Sequence, residues 1–233
     1  MADIVLVHGG WLGGWLWQKV APLLRLRGHD VHAPSLTGLG DRRHLLSANI
    51  TPDLHATDIV NVIRWNELKD VVLVGHSYGG FVISGAAGQV PDCVRAMVFV
   101  DAFVPDKSGQ SAFSFGPEWR ARQFRAASVR GMVQPQGLAE RMSDDPATVE
   151  WVSRMVSAHP LSCFSEGTTL TGREKEIADR LCIWCTGNDP SPFGVFYERC
   201  AADPGWRTAV LPCRHGPMLD EPERLADLIL SAC

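Results

Sequence analysis

Three short apolar runs constrain this chain more than anything else in it: Asp3–His8, Asp70–Gly75 and Val94–Val100. Each is too short for a helix and ends at Gly or Asp, so each reads as a strand. None alternates apolar with polar residues, as a strand with one wet face would, so they belong in a parallel sheet covered on both sides. Helical patterns separate them. Trp17, Val20, Leu23 and Leu24 recur at helical spacing within Trp15–Arg27, which stops at Gly28; a second helix starts at Thr51-Pro52 and runs to Leu68; a third spans Tyr78–Gln89. With a further strand at Asp30–Pro34 and a loop over Ser35–Asn49, the expected fold class is α/β, a doubly wound and mostly parallel sheet.

From Pro105 to Asp179 the strand pattern stops. Helical patches at Glu118–Ala127 and Ala147–Ala158 carry aromatic residues between loose Gly, Ser and Pro segments. Strands resume at Arg180–Thr186 and Trp206–Leu211, and Pro222–Ala232 closes as a helix. The expected organisation is one domain over residues 1–233, with a helical cap inserted over 106–179. A chain of 233 residues is long enough for one sizeable core.

Lys plus Arg total 22 against 26 Asp plus Glu, a net charge of -4, so no basic excess exists to bind nucleic acid. No apolar stretch approaches a membrane span, and the N-terminus lacks the basic start of a secretory leader. The seven scattered cysteines sit mostly in apolar runs and read as reduced, buried thiols, which points to the cytoplasm. Cys182-x-x-Cys185 has redox spacing but falls in a strand pattern, and no second Cys/His pair completes a zinc site. No metal or cofactor is expected. Oligomeric state stays open, a homodimer included.

The chemistry is carried by Gly75-His76-Ser77-Tyr78-Gly79, a Gly-x-Ser-x-Gly turn directly after a strand and before a helix. Such a turn projects the Ser77 hydroxyl above the sheet edge. A serine needs a base, and His215, between the last strand and the last helix, is in the right chain order to supply it. The base needs a carboxylate to fix its tautomer. Asp189, in Thr186-Gly187-Asn188-Asp189, and Asp101, at the end of Val94–Val100, both follow strands; Asp189 is preferred and Asp101 kept as the alternative. The oxyanion donors are expected to be the N–H groups of Tyr78 and Gly10, with Trp11 N–H an alternative to Gly10. Trp11, Phe113, Trp119 and Trp151 are candidate substrate-binding residues, Phe115 and Phe164 further aromatic candidates.

With Val7-His8-Gly9-Gly10, Gly14-Trp15-Leu16-Trp17, the Ser77 turn, Ala102-Phe103-Val104-Pro105-Asp106 and Thr186-Gly187-Asn188-Asp189, the chain resembles the α/β-hydrolase superfamily. More narrowly it is similar to the branch of plant methyl esterases, plant hydroxynitrile lyases and small bacterial carboxylesterases. The resemblance implies an α/β-hydrolase fold and a Ser77–Asp189–His215 triad, with oxyanion donors on Gly10 and Tyr78. It also implies a serine carboxylesterase for small to medium apolar esters or lactones. The lyases carry Thr after the first-strand His and Lys after the catalytic His; here those positions are Gly9 and Gly216. A lyase, another bond-cleaving enzyme or a non-catalytic ligand receptor on the same fold are the alternative readings.

Overall fold

The computed structural model describes residues 1–188 and 191–233. Its six-stranded sheet is built from β1 (Asp3–Val7), β2 (Asp30–His32), β3 (Val71–His76), β4 (Val94–Val100), β7 (Asp179–Cys185) and β8 (Arg207–Leu211). The spatial order is β2-β1-β3-β4-β7-β8 and every neighbouring pair is parallel. The chain steps outward from β1 to β2, then returns across β1 to β3. The crevice beyond the carboxyl ends of β1 and β3 is therefore a topological switch point, where open α/β sheets bind ligands.

Helices cover both faces, as the apolar strands require. These are α1 (Val20–Leu26), α2 (Pro52–Trp65), α3 (Gly79–Gln89), α8 (Gly194–Ala201), the short α9 (Pro217–Asp220) and α10 (Pro222–Leu230). Successive residues of β3 feed opposite cores. Val71 and Leu73 join Val5, Val7 and the α2–α3 side chains, while Val72 and Val74 join Ile4, Leu6 and the α1–α10 side. Helix α2 starts where the sequence predicts, with Thr51 Oγ1 accepting the Leu54 N–H at 3.2 Å and Pro52 in the first turn.

Three differences from the sequence expectation have local causes. The helix expected over Trp15–Arg27 is split into a 3-10 turn at Gly14–Trp17 and the shorter α1, because Leu16 and Trp17 are buried before the α-helical phase begins. The expected loop over 35–49 contains a 3-10 turn at Gly40–Leu45. Between β4 and β7 lie α4 (Glu118–Ala127), α5 (Leu138–Met142), α6 (Pro146–Met155) and α7 (Ser162–Ser165), but also two short strands. β5 (Met132–Val133) and β6 (His159–Pro160) pair antiparallel and are too brief to leave a period in the sequence.

Four fully buried histidines crowd the crevice, and their hydrogen bonds define each tautomer. His8 Nε2 accepts the Leu36 N–H (3.0 Å), so Nδ1–H donates to Gly9 O (2.8 Å). His55 Nε2–H donates to Thr37 O (2.9 Å), leaving Nδ1 to accept the Tyr78 hydroxyl (2.9 Å). His76 Nε2–H donates to His215 O (2.8 Å), and His159 Nδ1 accepts the Trp11 N–H (3.0 Å). Burial pushes His8 and His76 down to about 3 and His55 to about 4, and holds His159 well below its ordinary range.

Because these folded-state values lie below the unfolded 6.5, their contribution to stability is present above pH 6.5 and is lost as the pH falls towards 3. His215 shifts down and Asp101 up, so those two oppose each other. The urea midpoint should therefore fall between pH 7 and pH 5, with stability changing by more than the single-proton slope of about 1.4 kcal/mol per pH unit. A midpoint that stays flat over that interval would contradict the four neutral histidines.

Candidate active site

The turn after β3 is held in an uncommon backbone conformation. Ser77 has φ +55°, in the left-handed region that side chains rarely adopt. Its N–H donates to Val100 O (3.2 Å), and its carbonyl accepts the N–H groups of Gly80 (3.1 Å) and Phe103 (3.1 Å). The same bonds that hold the Ser77 turn tie it to the end of β4, where Asp101 sits.

Asp101 is also at positive φ, +42°, and its side chain is fully buried. Its Oδ2 lies 2.6 Å from His215 Nδ1 and accepts the Asn188 amide at 3.1 Å; its Oδ1 accepts the Cys185 N–H at 3.2 Å. Burial pushes the carboxyl up to about 7, while the Cys185 N–H and the Asn188 amide pull it back. Asp189, preferred from the sequence, lies outside the described residues; Asp101, the alternative, is brought to the His215 ring.

His215 is fixed from several sides. Its N–H donates to Arg141 O (2.9 Å), its carbonyl accepts His76 Nε2–H, and the Phe193 ring stacks on the imidazole at 5.0 Å between centroids and 8° between planes. Burial, with Arg141 nearby, pushes the imidazole down to about 3, so it stands uncharged at neutral pH. An uncharged ring with Nδ1–H on a carboxylate presents a lone pair at Nε2, the form a general base requires.

The two expected oxyanion loops also meet here. No hydrogen bond within the described residues engages the N–H of Gly10 or of Tyr78. The Trp11 N–H, the alternative to Gly10, is spent on His159 Nδ1. Trp11 itself has φ +64° and three ties to the segment between β4 and β7: its N–H to His159, its Nε1–H to Val133 O (2.9 Å) and its carbonyl to the Ser157 N–H (3.1 Å).

Ser77, Tyr78 and His215 open on one cavity of about 170 Å³. Trp11 and Phe113 line it, as the sequence suggests, and so do Phe115 and Phe164. Trp119 and Trp151 do not. Trp119 is 57% exposed on α4, about 140° around the helix from the pocket-facing Phe124. Trp151 is half-buried and packs edge-on against Trp15 at 5.0 Å, at the margin of the core that contains α1 and α10 side chains. The sequence reading missed Phe103, Phe124, Phe193, Arg120 and Arg141 as pocket residues. Phe103 lies in the irregular stretch after β4, and Arg120 and Arg141 sit on α4 and α5, whose packing rather than their local sequence decides which side faces the pocket.

One cluster has the makings of a metal site: ligand atoms of His55, His159 and Cys163 lie within 4.8 Å of one another. The hydrogen bonds assign it otherwise. His55 Nδ1 already accepts the Tyr78 hydroxyl, and the Trp11 N–H on His159 Nδ1 places the proton of that ring on Nε2. Cys163 Sγ donates towards Ile50 O (3.4 Å), and burial pushes the thiol up to about 12, far from the thiolate a metal needs. The cluster props Tyr78 and Trp11, one from each candidate oxyanion loop.

A family model described as "Alpha/beta hydrolase family" matches residues 4–228. The chain is 37% identical over 238 residues to the carbendazim hydrolyzing esterase of Nocardioides sp., covering 97% of this chain and 98% of that one. It is 39% identical over 111 residues to methylesterase 8 of Arabidopsis thaliana, covering 47% of this chain and 40% of that one. Among solved structures, an extracellular alpha/beta-hydrolase from a Paenibacillus species superposes with a TM-score of 0.85 at 26% identity, over 100% of this chain and 99% of that one. The switch-point crevice, the serine turn and these matches agree: the chain belongs to the α/β hydrolase family, in the branch that includes the plant methylesterases.

Proposed function

We propose that this protein is a serine carboxylesterase that cleaves small to medium apolar esters, lactones included, through an acyl-enzyme on Ser77. One observation carries the reading. Ser77, Tyr78 and the Asp101-bound imidazole of His215 open on a single aromatic-lined cavity; the Gly10 loop packs beside Tyr78 and Phe164, and among the described residues no hydrogen bond engages the N–H of Gly10 or Tyr78. Esterases and hydrolases among the relatives support ester hydrolysis as the reaction class.

In this mechanism His215 Nε2 takes the Ser77 proton as Oγ attacks the ester carbonyl. The Gly10 and Tyr78 N–H groups receive the developing oxyanion; such aimed donors are each worth about 3–4 kcal/mol of barrier in enzymes where one has been removed. The imidazolium returns its proton to the leaving alcohol, and a water activated by the same ring releases the acid. Asp101 keeps Nδ1–H pointed at itself and stabilises the transient cation. Protonating the pair reverses that tautomer, which places the acid limb of activity on the pair rather than on either group alone. Seven free thiols support a reducing compartment, the cytoplasm, for this activity. Among the described residues no helix is long and apolar enough to cross a membrane.

The lyase reading lacks both of its residues and the room for them. A Cβ at position 9 would lie 2.9 Å from Ser77 Cβ, and one at position 216 would lie 2.4 Å from Met142 O. Gly216→Lys should therefore lower stability by about 1–3 kcal/mol, read as a drop in urea midpoint at constant m.

Ser77→Ala should abolish turnover of a p-nitrophenyl ester while the thermal melt stays within a few degrees of the parent. Unchanged turnover would remove Ser77 as nucleophile. Asp101→Asn should lower kcat by about three to four orders of magnitude. If Asp189→Asn costs more than Asp101→Asn, the acid is Asp189.

A further inference from the structure

Apart from Ser77, Tyr78 and His215, the lining of the catalytic cavity is apolar except at two positions, and both are arginines. Arg120 reaches it from α4 and Arg141 from α5, and no Asp or Glu shares the lining. Arg141 also lines an adjoining chamber of about 400 Å³ with Gln123, Gln134 and Gln136, again without a carboxylate. Within the described residues neither arginine forms a salt bridge; Arg25, Arg43, Arg64, Arg95, Arg130 and Arg180 form none either, but of the unpaired arginines only Arg120 and Arg141 line the cavity at Ser77.

Arg120 and Arg141 are both exposed, so the two like charges that line this pocket repel each other only through partly screened solvent. Arg141 is held below its ordinary range by partial desolvation and by the charge of Arg120, with Asp101 pulling the other way. The backbone of Arg141 fixes the site's distance from the chemistry, because its carbonyl accepts the His215 N–H at 2.9 Å. A planar guanidinium one residue's reach from the base is suited to a carboxylate, which it can hold through two parallel N–H donors.

We propose that the preferred substrates carry a carboxylate in addition to the scissile ester, held by Arg141 and Arg120 while the aromatic walls take the apolar remainder. This rests on the esterase reading for its reaction but not for its binding. The anion could sit on the acyl side, as in a dicarboxylic acid half-ester, or on the alcohol side, as in an acylated hydroxybenzoate. Both present the same group to the arginines.

The test uses the full chain with Ser77→Ala, so that no turnover is needed. Monobenzyl glutarate and its neutral counterpart, benzyl methyl glutarate, are titrated by calorimetry at low salt. The half-ester should bind at least tenfold more tightly, and 0.5 M NaCl should narrow that preference. Arg141→Gln and Arg120→Gln, each combined with Ser77→Ala, should reduce the preference at least fivefold, and Arg141→Lys should retain part of it. Equal affinities, or a preference that survives both Gln variants, would overturn the proposal. With Ser77 restored, kcat/KM for monobenzyl glutarate against acetylsalicylate assigns the side that bears the anion. An absence of ester turnover beside an intact binding preference would sink the esterase reading alone.

Discussion

The 2.6 Å contact between His215 Nδ1 and Asp101 Oδ2 is the interaction around which the rest of the site is arranged. Buried, it is strong only while both partners have their remaining hydrogen bonds. The structure supplies them from four directions. Cys185 N–H comes from the end of β7 and the Asn188 amide from the turn beyond it; His76 Nε2–H and the Arg141 carbonyl hold the His215 backbone. The sheet order makes this affordable, since β3, β4 and β7 are neighbours and deliver Ser77, Asp101 and Cys185 to one edge.

Much of this was legible in the sequence, for identifiable reasons. Val71–Val74 and Val94–Val100 are apolar on both faces, a pattern only a covered parallel sheet satisfies, and Gly-x-Ser-x-Gly directly after such a strand leaves few other geometries. His215 was named as the candidate base from chain order. The acid was not singled out, because Asp101 and Asp189 both follow strands whose ends converge, and the distance from either of them to His215 is not readable in the sequence. The pocket was legible in composition but not in membership. Phe124 and Trp119 share one helix, and nothing local to α4 announces which side faces the cavity.

The buried histidines show what a single sequence hides most completely. His8 and His76 flank motif residues, and His55 and His159 belong to no motif, yet each has a defined tautomer set by a backbone donor or acceptor from a distant part of the chain. An imidazole can accept on one nitrogen and donate on the other, so a neutral histidine joins a backbone N–H to a second group where no other uncharged ring would. In the crevice His8 bridges the Leu36 N–H and Gly9 O, and His55 bridges Thr37 O and the Tyr78 hydroxyl, while His76 and His159 each engage a single nitrogen.

The three ties from Trp11 to Val133, Ser157 and His159 have a consequence for how such an enzyme could diversify. The region that shapes the pocket also holds the far end of the loop carrying Gly10. A change there that re-tailors the pocket walls moves the anchor of the loop that would receive the oxyanion. In the proposed mechanism selectivity and turnover are mechanically geared to each other, so evolution towards a new ester would adjust both together.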